Sequence, residues 1–313
     1  MYYYNDILIL TAKSDSLVGK TLSGFGVDIE SMWKNDHFSV RKFKLLSLIN
    51  KTNILYGFTK QDVESHNKII ISENNKMADI IEYIRKYNNH CIVKVYLWTP
   101  VNKNYELQIK KLKSMNVDIY SFDEGYCKKY NLYYNHQPVS YLNRIKNSQT
   151  EIKYDCYFCG SDKNRILEII KIKKFFINEN ISFKFRILLE KSKNYNFKAD
   201  DLVGLDLLKK EISYDDILEE TKQANCILEL LQKGQTGYTL RTMEALYLDK
   251  KLITNNKNIK NYDFYNPNNI FILDNNYDKI KHFLELPYEL VPNNIKERYS
   301  FKSWIENFFG KEG

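Results

Sequence analysis

The sequence predicts an α/β protein built from two Rossmann-like, doubly wound domains, and three observations predict it. Its 313 residues exceed what one hydrophobic core usually organises, so two domains of about 150 residues each are the default. Short apolar runs rich in β-branched residues alternate with segments of helical period, the pattern of parallel sheets layered with helices. That alternation occurs twice, with one interruption between the two series.

In the first series, residues 6–12 (DILILTA), 53–59 (NILYGFT), 68–72 (KIIIS), 92–98 (IVKVYLW) and 117–122 (VDIYSF) read as strands. Met77, Ile80, Ile81, Ile84 and Tyr87 recur at steps of three and four and mark a helix between two of them. Periodicity fails in the polar stretch around residues 133–151, where Pro138, Asn143, Asn147 and Ser148 suit a linker. The second series has strands at 154–159 (YDCYFC), 183–190 (FKFRILLE), 224–230 (ANCILEL), 250–256 (KKLITNN) and 269–273 (NIFIL). Its helices fall near residues 164–179, 215–223 and 239–248. Tyr299, Trp304, Ile305 and Phe308 give residues 296–309 the aromatic face of a terminal helix. The expected organisation is a domain over residues 1–148, a second over 149–290, and a C-terminal helix, 291–313, that packs back on them. Ligands of open parallel sheets bind outside the carboxyl ends of the strands, so the strand-to-helix turns are where functional groups are expected.

Composition narrows the function classes. Apolar residues make up 43% and charged residues 27%, the balance of a soluble globular protein, and the abundant Lys, Asn, Ile and Tyr run through periodic segments. The net charge of +8 favours phosphate-bearing ligands or an anionic membrane surface. No concentrated basic stripe with interleaved aromatics is found, so no nucleic-acid partner is expected. The basic clusters at 110–113 and 171–174 lie in helical patterns and read as solvated faces. Five cysteines is an odd number, and Cys91, Cys156 and Cys226 sit in apolar runs, as reduced thiols of a cytoplasmic protein do. Cys156 and Cys159 form a CxxC without a second pair or a His cluster, so no metal is expected. His37, His66, His90 and His136 show no ligand spacing and read as surface or loop residues. The N-terminus lacks the features of a signal peptide, and no stretch approaches the ~20 apolar residues that cross a bilayer. A soluble or peripheral protein is expected.

The most informative turn lies at residues 234–246 (GQTGYTLRTMEAL). Gly234 and Gly237 occupy a short polar loop, and Thr239 opens a helix carrying Arg241, Thr242 and Glu244. A helix start presents unpaired N–H groups and partial positive charge, which suits a diphosphate, and Arg241 adds a charge-assisted contact. Glu244, one turn on, has the chemistry to accept hydrogen bonds from ribose hydroxyls. The plainer alternative is an ordinary Thr239 cap with Arg241 and Glu244 as a surface pair. A second turn, GSDKNR, exits strand 154–159 at Gly160 and places Lys163 and Arg165 at the same predicted edge, either as phosphate ligands or as solvated charges at a capped helix start. A third, ISYDDILEE, pairs Ser213 and Asp216 at cap spacing and leaves the Tyr214 ring as a base-stacking candidate. After the first strand, Gly19, Lys20 and Thr21 match the end of a P-loop, but Ser14 stands where its first glycine belongs, which makes a phosphate cradle doubtful. Trp98, Asp123 and Glu124 also fall at strand ends, the acids reading as a helix cap.

The run LELLQKGQTGYTLRTMEALYLDKKLITNN, continued by YDFYNPNNIFIL, resembles bacterial glycosyltransferases of the GT-B kind that build lipopolysaccharide and capsule. The resemblance extends over most of residues 92–308 and includes YSFDEGYCKKYNLYYNHQPVS, the segment leading to the linker. It implies two Rossmann-like domains facing a cleft, with the donor nucleotide at Gly237, Thr239 and Arg241 and with Glu244 on ribose. The family's G-x-D-K-x-R turn is matched at Gly160, Asp162, Lys163 and Arg165, and the loop holding Tyr214 would lie beside the base. The glycine-containing loop after the first strand would meet the acceptor or the sugar, which makes Asp28 and Glu30, with Asp36, the candidate general bases. The implied protein is a cytoplasmic, metal-independent glycosyltransferase of cell-surface polysaccharide synthesis, in contact with the inner face of the plasma membrane at most peripherally. Its partners would be a nucleotide-diphosphate sugar, which is a substrate and not a cofactor, and a glycan or lipid-linked acceptor. Two alternatives stay open. One is a teichoic-acid-type polyol-phosphate transferase, against which the few histidines count. The other is a non-catalytic sugar-nucleotide-binding subunit of a glycan assembly complex.

Overall fold

The computed structural model describes residues 4–12, 22, 26–34, 40–49, 51–138, 150–190, 193–274 and 277–310. The chain divides into two units, residues 1–141 with 299–313, and residues 142–298.

The first unit holds a six-stranded parallel sheet of β1 (Ile7–Thr11), β2 (Asp28–Ser31), β3 (Lys68–Ser72), β4 (Ile92–Leu97), β5 (Asp118–Ser121) and β6 (Tyr133–Tyr134). Their order is β2-β1-β3-β4-β5-β6, so the chain reverses its direction across the sheet between β1 and β3. Both faces are covered, as continuous apolar strands require. Leu8 and Leu10 join a core with Ile80, Ile81 and Ile84 of helix Met77–Tyr87, while Ile7 and Ile9 join the opposite one. That second core is closed by helix Phe301–Phe309, whose Phe301, Trp304, Ile305 and Phe308 pack with Ile70, Tyr96 and Tyr120. The terminal segment is two helices and not one. Asn293–Arg298 ends before Ser300, whose hydroxyl accepts from the Ser303 amide and caps the second.

One expected strand is absent and one unexpected strand is present. Residues 53–59 form a short 3-10 turn, Thr52–Leu55, followed by a single antiparallel bridge between Tyr56 and Trp33. Gly57 lies so close to the Ser31 carbonyl that a Cβ would stand 2.3 Å from its oxygen. This segment is therefore pressed against the end of β2 and is not laid out in the sheet. β2, read as loop, takes the edge position instead.

The second unit holds β7 (Tyr154–Ser161), β8 (Phe183–Leu188), β9 (Leu205–Leu208), β10 (Ala224–Glu229), β11 (Lys251–Thr254) and β12 (Ile270–Ile272), again all parallel. The order β12-β11-β10-β7-β8-β9 is that of a Rossmann sheet, with its reversal between β7 and β10. Helices Ile166–Asn178, Tyr214–Lys222 and Leu240–Tyr247 fall where the period placed them. β9 had no period of its own to announce it.

Several side chains depart from expectation. Lys171 and Lys174 are exposed, but Lys173 is buried and donates to the carbonyls of Asp200 and Asp201, 2.9 and 3.3 Å away. His66 and His136 are buried as well. His66 is held by Asp28 and the Asp62 carbonyl, and burial drives the His136 pKa down to about 4, so that ring is neutral. The five cysteines form no disulfide. Among the described residues no group of three or more His, Cys, Asp or Glu side chains is placed to hold a metal ion, and no helix is long and apolar enough to cross a membrane.

Candidate functional site

Two turns of the second unit meet at the reversal point of its sheet. β7 exits through Asp162, Lys163, Asn164 and Arg165, with Lys163 and Asn164 at φ of 44° and 66°. That left-handed pair turns the chain sharply into helix Ile166–Asn178. Asp162 is buried beneath it. One oxygen accepts from the amides of Arg165 and Ile166, both at 2.9 Å, and the other from the Tyr195 hydroxyl at 2.7 Å and Lys193 at 3.1 Å. Burial alone would raise the Asp162 pKa, but those hydrogen bonds outweigh it and hold the carboxylate below its usual value. In the G-x-D-K-x-R turn the aspartate is thus an anchor. Gly160 makes room for the arginine, since a Cβ there would meet the Arg165 guanidinium at 3.3 Å.

Arg165 bridges the two sides of the reversal. Its Nη1 donates to the Leu230 carbonyl at the end of β10, at 2.5 Å, its Nε to the Asp162 carbonyl, at 3.1 Å, and its Nη2 to the Ser161 carbonyl. The guanidinium also lies over the Phe158 ring, 5.6 Å from its centroid. Five N–H donors are available on an arginine, so two remain for a ligand. Burial, followed by the nearby Arg241 charge, pushes its pKa below the ordinary value against the pull of Asp162 and Glu229. Lys163 is exposed at the same turn.

Beyond β10, Gly234 takes φ +86° in the loop, a left-handed conformation that glycine adopts without strain, and Thr239 caps helix Leu240–Tyr247 by accepting from the Arg241 amide at 3.0 Å. Gly237 is buried in the same loop. The start of that helix is pinned by Glu229, the last residue of β10. Its carboxylate accepts from the Thr239 amide and hydroxyl, from Thr242, and from Thr254 at the end of β11, at 2.6 to 3.1 Å. Sequence reading passed over Glu229. The available signal was a lone acid closing an otherwise apolar strand.

Arg241 and Glu244 do form an i, i+3 ion pair, but not a surface one. The Glu244 side chain is 0% exposed and that of Arg241 18%. One Glu244 oxygen takes the Arg241 guanidinium and the other accepts from the Tyr214 hydroxyl at 3.0 Å. Burial first raises the Glu244 pKa, with Arg241 and Tyr214 opposing. In this arrangement the carboxylate expected at ribose fixes Arg241 in place and has no free surface. Tyr214, expected under a base, is itself buried and bonded to Glu244.

In the first unit, Asp28 and Glu30 are not in a loop after β1. They stand on edge strand β2, paired with Leu8 and Leu10. Asp28 opens the strand and meets His66, which precedes β3, at 2.9 Å, so it lies toward the amino ends of the strands. Together with Asp62 the two acids line an open cavity of about 390 Å³, and burial, then Asp62 and Asp28, raises the Glu30 pKa. Three carboxylates around one space repel a diphosphate. Asp36 and the P-loop-like Ser14, Gly19, Lys20 and Thr21 lie outside the described residues.

The carboxyl edge of this first sheet carries different groups. Ser31, Thr11, Ser72, Tyr96, Tyr120 and Tyr133 lie in one register row across it, Thr11 and Ser72 following the Leu10–Ile71 pair, but the Tyr96 and Tyr120 rings pack under helix Phe301–Phe309 and the Tyr96 hydroxyl donates to the His136 carbonyl at 2.9 Å. The Thr11 and Ser72 hydroxyls are buried at the reversal between β1 and β3, with no partner among the described residues. Glu73 comes next after β3. It is half-buried, accepts from the Trp98 amide at 2.8 Å, and is pushed by burial to a pKa of about 7. Sequence reading missed it, because an acid after a strand looks like a solvated turn. Asp123 at the end of β5 caps helix Glu124–Tyr130, as its position suggested.

No protein-family model matches the chain, and no curated protein matches it. Solved structures do. One is an alpha-glucosyltransferase in complex with UDP-glucose and DNA containing an abasic site, at a TM-score of 0.58 and 11% identity over 96% of this chain and 92% of that one. Another is an alpha-glucosyltransferase in complex with UDP and a 13-mer DNA containing a central A:G mismatch, at 0.56 and 12%, over 97% and 93%. At such identity the likeness shows the fold, the two-domain α/β architecture of GT-B glycosyltransferases that the sequence predicts.

Proposed function

We propose that the chain is a glycosyltransferase that moves a sugar from a nucleotide-diphosphate donor to a glycan or lipid-linked acceptor in cell-surface polysaccharide synthesis. The observation that carries the reading is the pair of guanidiniums, Arg165 and Arg241, anchored by backbone carbonyls and Glu244 at the β7–β10 reversal. Two cations held this close, with exposed Lys163 beside them, leave a place for a polyanion. The helix start at Thr239 lies beside them, its Thr239 and Arg241 amides already bonded to Glu229 and to the Thr239 hydroxyl. Glu244 and Tyr214 then act as positioning residues for Arg241. In the two solved neighbours the bound UDP-glucose and UDP support a nucleotide sugar as the donor class.

During transfer the bond from the anomeric carbon to the diphosphate breaks, its electron pair leaves with the diphosphate, and these cations neutralise the growing charge. The acceptor hydroxyl forms the new bond and loses its proton. Glu73, with a pKa of about 7 at the carboxyl edge of the first sheet, takes the base role expected of Asp28 and Glu30. Neutralisation by side chains makes the reaction independent of metal ions. The DNA in both neighbours does not fit a partnership free of nucleic acid, so DNA is the acceptor to test against the glycan.

The test is release of nucleoside diphosphate from UDP-, GDP-, CDP-, dTDP- and ADP-sugars, in the presence of EDTA. Release from at least one, lowered by Arg241→Ala, is expected; no release from any of them overturns the enzyme reading in favour of a binding subunit. Release that rises on addition of duplex DNA overturns the glycan acceptor.

A further inference from the structure

Helix Val40–Leu48 and the turn Thr52–Leu55 leave an apolar strip that no described element of their unit covers. Leu45 is 65% exposed, Leu48 81% and Ile49 56%, and their spacing of three and four places them on one face of the helix. Ile54 in the following turn is 48% exposed. The opposite face is seated: Phe43 is buried edge-on against Trp33, with ring centroids 6.1 Å apart. Single exposed apolar side chains are ordinary, and Leu107, Leu167 and Leu290 are such cases. Four within ten residues are not.

Charge identifies the occupant. Arg41, Lys42 and Lys44 stand one turn ahead of the apolar residues, and Lys51 lies between the helix and Ile54. No Asp or Glu occurs from residue 37 to residue 61, so every Lys, Arg, Asp or Glu of this segment is a cation. We infer that this face docks on an anionic bilayer surface, with Leu45, Leu48, Ile49 and Ile54 entering the headgroup–acyl boundary and the cations meeting lipid phosphates. Basic amphipathic surfaces bind membranes through this combination of buried apolar area and attraction to anionic lipid. A second copy of the chain would set the same cations against one another. The inference deepens the proposed function, and rests on it for its purpose, since a lipid-linked acceptor is presented at such a surface.

The experiment is co-sedimentation of the full chain with vesicles of phosphatidylglycerol and phosphatidylcholine, against phosphatidylcholine alone. Binding to the mixed vesicles, weakened by salt and lost at least about tenfold in Leu45→Gln/Leu48→Gln/Ile49→Gln, is expected. Arg41→Gln/Lys44→Gln should lower binding to the mixed vesicles and flatten its salt dependence. Leu167→Gln and Leu290→Gln, exposed in the second unit, should change nothing. Equal binding of the triple variant and wild type, no binding to anionic vesicles, or self-association that the triple variant abolishes in sedimentation velocity each overturns the inference. Thermal stabilisation by UDP and the other nucleoside diphosphates is measured on the same proteins. Its absence with vesicle binding intact sinks the donor reading alone, and its presence with vesicle binding lost sinks only the docking face.

Discussion

At the carboxyl edge of the second sheet, Arg165, Lys163 and Arg241 gather positive charge above Asp162, Glu229 and Glu244. At the same edge of the first sheet stand the buried hydroxyls of Thr11 and Ser72 and the Glu73 carboxyl, whose pKa burial raises to about 7. Both edges come from the same topological rule, a parallel sheet that reverses direction. Their chemistry differs because the second edge spends its acids inward, as anchors for its turns and for Arg241. The first edge also spends an acid inward, Asp123 capping helix Glu124–Tyr130, but has Glu73 with its raised pKa where the second has arginines. On the proposed reading, the one holds the donor's diphosphate and the other supplies the base.

The comparison breaks first if the inward acids are not anchors. Glu244→Ala leaves Arg241 without its partner in a largely buried place, and is expected to cost about 3–5 kcal/mol in urea unfolding at neutral pH. A loss below about 1 kcal/mol would remove Glu244 from the anchor role.

Next in size is Glu73. Its pKa is raised from 4.5 to about 7, so the folded state keeps a proton that the unfolded state has lost, and stability falls as pH rises through that interval. Above it the wild type carries a cost of at most about 3 kcal/mol. Glu73→Gln retains an acceptor for the Trp98 amide and removes the ionisation, so the variant should be the more stable near about pH 8, with the gap closing toward 4.5. Its transfer rate should also lose the rise through about pH 7 expected of the wild type. An unchanged pH–rate profile would return the base role to another group.

How much of this was legible in the sequence follows from how local each signal is. The turns at 160–165 and 234–246 were readable because glycine, a capping hydroxyl and clustered cations act within a few residues. Strands β1, β3, β4, β5, β7, β8, β10, β11 and β12 announced themselves by short runs rich in apolar residues. β2, with the sequence DIES, and β9, with LDLL, are short edge strands whose identity comes from a neighbour's hydrogen bonds. Glu229 acquires its role from Thr239, Thr242 and Thr254, and Glu73 from Trp98, contacts that no spacing rule reports. The Arg241–Glu244 pair was open only as the plainer, surface alternative to a ribose role for Glu244, because the contact that buries it comes from Tyr214, thirty residues away.

The smallest expected effect is at Asp28, whose side chain is exposed beside His66. Asp28→Asn should shift stability by less than about 1 kcal/mol and the transfer rate by less than about twofold. A loss of about a hundredfold in rate, measured as nucleoside diphosphate release, would instead place the base on β2.

The central claim is that the second sheet's edge is a diphosphate site, and calorimetric titration of UDP, GDP, CDP, dTDP and ADP into the wild type and Arg241→Ala tests it most directly. The account predicts that at least one nucleoside diphosphate binds and that the variant loses about 1.5–3 kcal/mol of that affinity. Equal affinity in the two proteins, or no binding of any diphosphate to the wild type, would contradict it.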